Sequence, residues 1–376
     1  MIALRSPVSG RPLLPDTGHS LADGAGERWP VLDGISYGRA GSVDLAREAV
    51  AALDGGDPPA ALRLLLPEND AWSDGLPPDK AALDHLIAGQ DRLTLREAME
   101  LLGYGRVGDY FAHRWSDPTF VAGLALLDAH WPEPATAFEL ACGIGHYLRE
   151  LGRVGVRAVG ADIVFSKLWL ARHWVVGPGP ALICMDAEQG WPLSGSVDLA
   201  FCHDAFYFLR DKAHVAACLS ELVPKGAVLL SHVHNADAAN LSGGAAIDRA
   251  ELEALFPAGR LYADEVLTAA AVRGAPPAAG QGLDRTEAFA VAAGPAVGSP
   301  RPAAGPLSRP TIGAELRRNP LLDRGAILWP SDRYAAEYGH RATYRASAVV
   351  PERVLMTNAW MEEAARRELV DLPARW

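Results

Sequence analysis

The 376-residue chain has few cysteines, few lysines and no long apolar run. The four cysteines are Cys142, Cys184, Cys202 and Cys218. Because they are dispersed through the middle of the chain, we expect free thiols in a reducing cytoplasm and no disulfide framework. No run of about 18 apolar residues occurs, so a membrane-spanning helix is not expected. The segment "MIALRSPVSG" also lacks the pattern of a signal peptide.

Positive charge is scarce as well, since the net charge is −11 and only 4 of the 35 basic residues are lysine. Proteins that bind nucleic acid through many phosphate contacts usually have the opposite balance, so nucleic acid is not an expected partner. The preference for arginine fits a GC-rich, bacterial coding sequence. A hydrophobic content of 49% with 22% charged residues is typical of a globular protein.

Changes in composition divide the chain into five regions. The first two are residues 1–40, rich in turns, and residues 41–130, which carry helical patterns. In residues 131–293, strand-like and helix-like runs alternate. Residues 294–310 are rich in proline, glycine and alanine, which predicts a flexible linker. Residues 311–376 form an extension, for which we expect the role of a lid or an oligomer contact.

The region 131–293 determines the fold class. Its apolar runs are "ATAFELA", "VRAVGAD", "ALICMDA", "VDLAFCHDA" and "GAVLLSHVH". Amphipathic helical runs lie between them, and this alternation predicts an α/β fold with a doubly wound, mostly parallel sheet. In such sheets the ligand lies beyond the carboxyl ends of the strands. The polar residues that end these runs are therefore the candidate site.

A turn with two glycines follows the first of these strands, in "ELACGIGHY". Gly143 and Gly145 permit a tight bend and a close approach of a ligand to the backbone. A dinucleotide would need a third glycine where Leu148 stands. Glu139 would also repel a pyrophosphate, whereas it suits a ligand that carries an ammonium group. A nicotinamide enzyme is therefore disfavoured.

Over about residues 105–293, the sequence resembles the class I S-adenosylmethionine-dependent methyltransferases. "ELACGIGHY" is similar to their first motif, with Ala141 in place of the first glycine, and alanine fits such a turn unless φ must be positive. The resemblance implies a Rossmann-like fold with S-adenosylmethionine as cofactor. It also implies an acid after the second strand for the ribose, Asp162, and an acid after the third strand for the adenine, Asp186. The cofactor-binding residues implied are Tyr110, Arg114, Glu139, Ala141, Cys142, Gly143, Gly145, Asp162, Ile163, Asp186, Ala187, His203 and Asp204.

The first 40 residues resemble a small zinc ribbon that has lost its cysteines. Ser6 and Ser9 stand where the first cysteine pair would be, and Ala22 and Ala25 stand where the second would be. Serine and alanine cannot form the four-thiolate site of such a module. We expect a metal-free relic packed on the rest of the protein, and a set of ordinary turns is the alternative.

Three residues near the strand ends are candidates for catalysis: His203, His234 and Tyr207. Histidine titrates near neutral pH and can take a proton from an acceptor hydroxyl. His232 and His234 alternate along one strand and, with Asp204, could supply three metal ligands, although we assign no metal. Whether a metal binds there stays open. The aromatic residues Trp329, Tyr334 and Tyr338, together with Arg341, are candidates for a lid over the substrate.

The function predicted from the sequence is direct transfer of a methyl group from S-adenosylmethionine to a small molecule, at oxygen or nitrogen. Methylation at carbon stays open, and so does a homodimer. An RNA or protein methyltransferase is one alternative, suggested by the ribbon-like start. A protein that binds the cofactor without catalysis is another. No membrane partner is expected.

Overall fold

A computed structural model of the protein describes residues 2–70 and 76–376. The N-terminal strands are β1 (Ala3–Leu4), β2 (Leu14–Thr17), β3 (Ser20–Ala22), β4 (Arg28–Leu32) and β5 (Ile35–Gly38). The helices that follow are α1 (Val43–Asp54), α2 (Pro58–Leu65), α3 (Lys80–Gly89), α4 (Leu95–Leu101), α5 (Gly105–His113) and α6 (Pro118–Ala129). Asp117 caps α6 by accepting a hydrogen bond from the Thr119 backbone, and Pro118 occupies the first helical position, which suits its fixed φ.

The middle of the chain alternates strands and helices, as the apolar runs predict. These elements are β6 (Thr136–Leu140), α7 (His146–Arg153), β7 (Arg157–Asp162), α8 (Phe165–Leu170), β8 (Ala181–Met185), β9 (Leu193–Ser194), β10 (Leu199–His203), α9 (Lys212–Leu222), β11 (Ala227–His234), α10 (Arg249–Leu255), β12 (Arg260–Ala263), α11 (Asp264–Arg273) and β13 (Ala288–Ala293). Every residue of β10 and β11 is buried. Continuous apolar runs suit these strands because helices cover both faces of the sheet.

The C-terminal region forms short strands and helices. They are β14 (Glu315–Arg318), β15 (Leu322–Asp323), β16 (Ala326–Ile327), α12 (Asp332–Tyr338), β17 (Arg353–Leu355), α13 (Met361–Ala365) and β18 (Leu369–Val370). Single turns of 3-10 helix lie at Ala40–Ser42, Arg114–Ser116, Phe206–Phe208, Gly339–Arg341 and Asn358–Trp360, and a π-helical turn lies at Ala171–Val175. None of the described helices combines the length and the apolar character that crossing a membrane requires.

An eleven-stranded sheet runs through the described part of the chain in the order β12-β13-β11-β10-β6-β7-β8-β5-β4-β3-β2. The strands from β11 to β5 in this order are parallel. β13 runs antiparallel to both β11 and β12. The predicted fold, a doubly wound and mostly parallel Rossmann-like sheet with extensions at both ends, is confirmed. The carboxyl ends of β6, β7, β8 and β10 meet at one edge of this sheet.

The first 40 residues extend this sheet, because β5 pairs in parallel with β8 and β2, β3 and β4 continue beyond it. The two turns expected to hold the lost cysteine pairs are joined by hydrogen bonds. Ser9 Oγ donates to Asp23 Oδ2 over 2.6 Å, and Asp23 Oδ1 accepts from the Ala25 backbone at 2.8 Å. A buried carboxylate therefore links the two turns. The likeness to a zinc ribbon stays a hypothesis.

Part of the segment 294–310 is packed against α6. Ala303 and Leu307 are buried. Asp128, in α6, accepts hydrogen bonds from the backbone N–H groups of Leu307 at 3.1 Å and Ser308 at 2.8 Å. The expectation of a flexible linker therefore does not describe these residues, because a buried carboxylate satisfies their backbone donors.

We expect Asp128→Asn to lower the free energy of unfolding by about 1–3 kcal/mol. An amide is nearly isosteric, but in either orientation its NH₂ group faces a backbone N–H of Leu307 or Ser308 and leaves that donor unsatisfied. Chemical denaturation measures the effect. Asp44→Asn is the matched control, because the side chain of Asp44 is 91% exposed. Equal stability of the two variants would show that Asp128 does not hold this segment.

Candidate functional site

A cavity of about 1130 Å³ opens at the carboxyl ends of β6, β7, β8 and β10. The loop after β6 and the first residues after β8 and β10 form its floor. Helix α5 covers one side, and α12 from the C-terminal region contributes to another. The cavity thus lies where an open parallel sheet binds its ligand.

The structure brings together almost all the residues predicted to bind the cofactor, since each of them except Gly145 lines the cavity. Of the three catalytic candidates, His203 and Tyr207 line it, whereas His234 does not. No ligand contact tests these roles, so the assignments stay predictions.

The glycine turn requires a left-handed backbone at three places. The φ angles are 53° at Ala141, 54° at Gly143 and 85° at Gly145. Alanine in this region costs about 1–2 kcal/mol because of its Cβ atom. Alanine in place of the first glycine of the motif therefore costs more at Ala141 than it would at a position with negative φ. A Cβ at Gly145 would lie 2.8 Å from Val176 Cγ1, so this glycine permits the close packing of α7.

Asp162 supports the glycine turn itself. Its Oδ2 accepts a hydrogen bond from the Gly143 backbone at 2.9 Å, and its Oδ1 accepts from the Val164 backbone at 3.0 Å. Lys167 Nζ lies 3.8 Å from Asp162 Oδ1. The carboxylate predicted to bind the ribose is thus held in place by backbone donors and a neighbouring cation. Asp186 is held similarly, since its Oδ1 accepts from the Glu188 backbone at 2.9 Å.

Glu139 and His203 carry buried polar atoms without a partner. Among the described residues, Glu139 Oε2 and both ring nitrogens of His203 have no hydrogen-bond partner. Burial, and then the nearby Asp162, raise the pKa of Glu139 well above its usual value. Burial, and then Arg114, lower the pKa of His203 well below its usual value. Buried polar groups are normally hydrogen-bonded, so these atoms mark a place where a polar ligand fits.

Asp204 is the centre of a hydrogen-bonded network at the end of β10. Tyr110 Oη donates to its Oδ2 over 2.7 Å, and Arg114 Nη2 lies 3.1 Å from the same oxygen. Tyr207 Oη donates to Oδ1 over 2.9 Å. Burial raises the pKa of Asp204, but His232 and Arg114 outweigh it and hold that pKa well below the usual value. Asp204 is therefore ionised and fixes α5 against the sheet.

The strand β11 is irregular where its histidines lie. Its register with β13 shifts between Leu230 and Val233, and His232 has a φ of 52°. His232 Nδ1 lies 2.5 Å from Asp264 Oδ2, and its Nε2 lies 3.7 Å from Asp204 Oδ1. Burial opposes protonation, but Asp204 and Asp264 raise the pKa of His232.

His234 occupies a different position from the one expected of a catalytic base. Its ring stacks on Tyr207 with centroids 3.5 Å apart, and it is buried outside the cavity lining. Burial and His232 lower its pKa to about 3. His234 therefore does not reach the cavity that the acceptor would enter, because the ring of Tyr207 lies against it.

The C-terminal region contributes to the cavity through α12. Two of the lid candidates, Tyr334 and Tyr338, line the cavity, whereas Trp329 does not and Arg341 pairs with Glu287 at 3.2 Å. The carboxylate that lines the cavity from α12 is Glu337. Burial, and then Asp204, raise its pKa. In the sequence, Glu337 lies one helical turn after Arg333, and nothing in that spacing indicates a role at the site.

A comparison with protein-family models identifies a domain in the middle of the chain. Residues 138–230 match the family model described as "Methyltransferase domain". A comparison with curated protein sequences gives no match. This part of the chain therefore matches a methyltransferase domain, and the cofactor of that family is S-adenosylmethionine.

Solved structures that this chain resembles include several methyltransferases at low identity. A putative methyltransferase from Bacillus halodurans C-125 is 16% identical, over 38% of this chain and 69% of that one, with a TM-score of 0.33. The plantazolicin methyltransferase BpumL, solved with SAH, is 11% identical over 56% of this chain and 97% of that one, with a TM-score of 0.37. Magnesium protoporphyrin IX methyltransferase from Synechocystis PCC 6803, also with bound SAH, is 19% identical over 43% and 85%, with a TM-score of 0.34.

We expect Gly123→Ala to distort the cavity without removing any polar group. A Cβ at this position in α6 would overlap Tyr147 Oη and lie 2.7 Å from His203 Nδ1. Overpacking of this kind costs about 1–3 kcal/mol, and we expect weaker cofactor binding in calorimetry.

The control for this variant is Gly152→Ala in α7, because a Cβ at Gly152 meets nothing within 4 Å. It should leave the affinity for the cofactor unchanged and raise the free energy of unfolding by up to about 1 kcal/mol. If Gly123→Ala bound the cofactor as tightly as the control does, the tight packing around His203 would not matter for binding.

Proposed function

We propose that the protein transfers the methyl group of S-adenosylmethionine to an oxygen or nitrogen atom of a small molecule. The observation that carries this proposal is the volume of the cavity. Binding sites for one small ligand usually measure about 300–1,000 Å³, and this cavity measures about 1130 Å³. It has room for the cofactor and a small acceptor side by side.

The residues around the glycine turn fit the cofactor. Glu139 Oε2 is buried without a partner among the described residues, so it can accept a hydrogen bond from the ammonium group of the amino-acid part. We assign Asp162 and Asp186, which both line the cavity, to the vicinal diol of the ribose and the exocyclic amine of the adenine. When bound, S-adenosylmethionine supplies a methyl group activated by its sulfonium charge. The chain then has to orient the acceptor, exclude water and take up a proton.

We assign the acceptor to the part of the cavity lined by residues that follow β10 and by α5 and α12. Tyr207 and Tyr338 supply aromatic surface there. His203 is neutral and weakly basic, because burial lowers its pKa. Glu337 has a raised pKa, which is closer to the value that favours proton uptake near neutral pH. We therefore assign to Glu337 the removal of the acceptor proton, with His203 in a positioning role.

Incubation with S-adenosylmethionine labelled in its methyl group and an extract of cell metabolites tests the proposed activity. We expect label to appear in a small product. Tight cofactor binding with no transfer would instead support a binding protein without catalysis. Parallel incubations with cell RNA and with cell protein test the alternatives drawn from the ribbon-like start, and label in either would support them. The net charge of −11 disfavours the RNA alternative.

We expect the affinity for S-adenosylmethionine to rise with pH. Below its raised pKa, Glu139 of the free protein carries a proton, and contact with an ammonium group releases it. Binding therefore strengthens until the pH exceeds that raised pKa. Calorimetry in buffers of different ionisation enthalpy counts the released protons.

Glu139→Gln should bind S-adenosylmethionine more weakly and lose this proton release. The control, Glu100→Gln on the exposed face of α4, should keep the wild-type affinity and the wild-type proton release. Proton release that persists in Glu139→Gln would show that another group is responsible.

We expect Glu337→Gln to lower kcat by about 10²–10⁴-fold while cofactor affinity is retained. A carboxylate base is active when ionised, so the wild-type rate should fall as the pH drops through the pKa of Glu337, and this fall should be absent in the variant. Rates of label transfer at several pH values measure both effects. Asp332→Asn, an exposed acid on the same helix, is the control. Unchanged kcat in Glu337→Gln would remove Glu337 from the mechanism.

A further inference from the structure

We propose that Asp204, His232 and His234 form a binding site for one divalent transition-metal ion, and that Zn²⁺ is the ion that suits their donor atoms best. One ligand atom from each residue lies within 4.8 Å of the other two. Asp204 lines the cavity, whereas the two histidines do not. The proposal concerns metal binding alone and does not depend on methyl transfer.

The distance between the first two ligands suits zinc. Asp204 Oδ1 and His232 Nε2 lie 3.7 Å apart. Bond lengths of about 2.0–2.1 Å in a tetrahedral site place two ligands about 3.3–3.4 Å from each other. A small side-chain rotation therefore brings both atoms to one ion. Two histidines and a carboxylate are also a common set of three protein ligands for zinc.

Asp264 orients His232 for this role. Its Oδ2 lies 2.5 Å from His232 Nδ1, so Nε2 is the nitrogen that faces Asp204. Metal-binding histidines almost always make such a contact with a carboxylate or carbonyl through the other ring nitrogen. Asp264 is buried, and its Oδ1 has no partner among the described residues.

Stacking on Tyr207 fixes the position of the His234 ring. Its ring is nearly parallel to that of Tyr207, at an angle of 6° and with centroids 3.5 Å apart. Tyr207 also donates to Asp204, so one tyrosine positions two of the three ligands. Within the described residues no hydrogen bond reaches the ring nitrogens of His234, so they are available to a metal ion.

The charges around the site favour a cation. The buried carboxylates in this group are Asp117, Asp204 and Asp264. Arg114 contacts two of them, Asp117 and Asp204. Arg341, another nearby guanidinium, pairs with Glu287. With His232 neutral as a metal ligand, three carboxylates stand against one guanidinium, so these side chains balance the two charges of a divalent ion.

Another pair of possible zinc ligands lies near the surface, and zinc binding there has to be distinguished from binding at the proposed site. Cys218 Sγ is 3.7 Å from His214 Nε2 on α9. Two ligands one helical turn apart can bind Zn²⁺ weakly on their own. His214→Ala removes this pair and leaves the residues of the proposed site untouched.

The test is a calorimetric titration of Zn²⁺ into chelator-treated protein that carries no histidine tag and no S-adenosylmethionine. We expect one Zn²⁺ per chain, with the same affinity in His214→Ala. Asp264→Asn should weaken binding by about 10–100-fold, and His234→Ala should abolish binding at this stoichiometry. The proposal is overturned if the wild type binds no stoichiometric Zn²⁺, if His214→Ala removes the binding, or if His234→Ala retains it.

The visible spectrum of the wild-type protein with Co²⁺ gives a readout that needs no substitution, in case His234→Ala fails to fold. Co²⁺ bound by nitrogen and oxygen ligands should give d–d bands without the near-ultraviolet band of a thiolate ligand. Addition of Zn²⁺ should displace the Co²⁺ and remove these bands. A thiolate band, or no d–d bands, would contradict the site. Cofactor binding measured on the metal-free protein tests the proposed function separately, so the two can fail independently.

Discussion

The ionised carboxylate of Asp204 is the interaction on which the arrangement of the cavity depends. Asp204 directly follows β10 and has a left-handed backbone, with a φ of 52°. It accepts hydrogen bonds from Tyr110 on α5 and from Tyr207 on the following turn, and it pairs with Arg114. A buried charge is tolerated only when it is fully partnered. For that reason helix α5, the turn after β10 and the end of the sheet hold one another in a single arrangement.

The parts of the site that follow the strand order could be predicted from the sequence. Apolar runs ending in acids identified Asp162 and Asp186, because the ends of parallel strands meet at one edge of a sheet. The glycine turn was recognised from its spacing, but its geometry was not, since a positive φ at Ala141 depends on the whole turn. Gly145 permits close packing against Val176, a contact between segments far apart in sequence.

The parts of the site that depend on distant segments could not be predicted. Glu337 reaches the cavity because α12 folds back over the sheet, and no periodicity in residues 311–376 indicates that. Asp264 begins a helix, where an acid is ordinary, and its contact with His232 exists because β11 is irregular at that point. For the same reason, the expectation that His232 and His234 alternate along a regular strand did not include the shift in register of β11. Such contacts are set by tertiary structure and leave no local pattern.

The long sheet also has a consequence for how copies of this protein meet. Its last strand, β2, exposes all four of its residues, and these include Pro15 and Asp16. A proline cannot donate a backbone hydrogen bond, and a charged side chain disfavours a neighbouring strand, so this edge resists extension. Lateral joining of two sheets into one continuous ribbon is therefore discouraged at this border, and self-association, where it occurs, would use another face of the molecule.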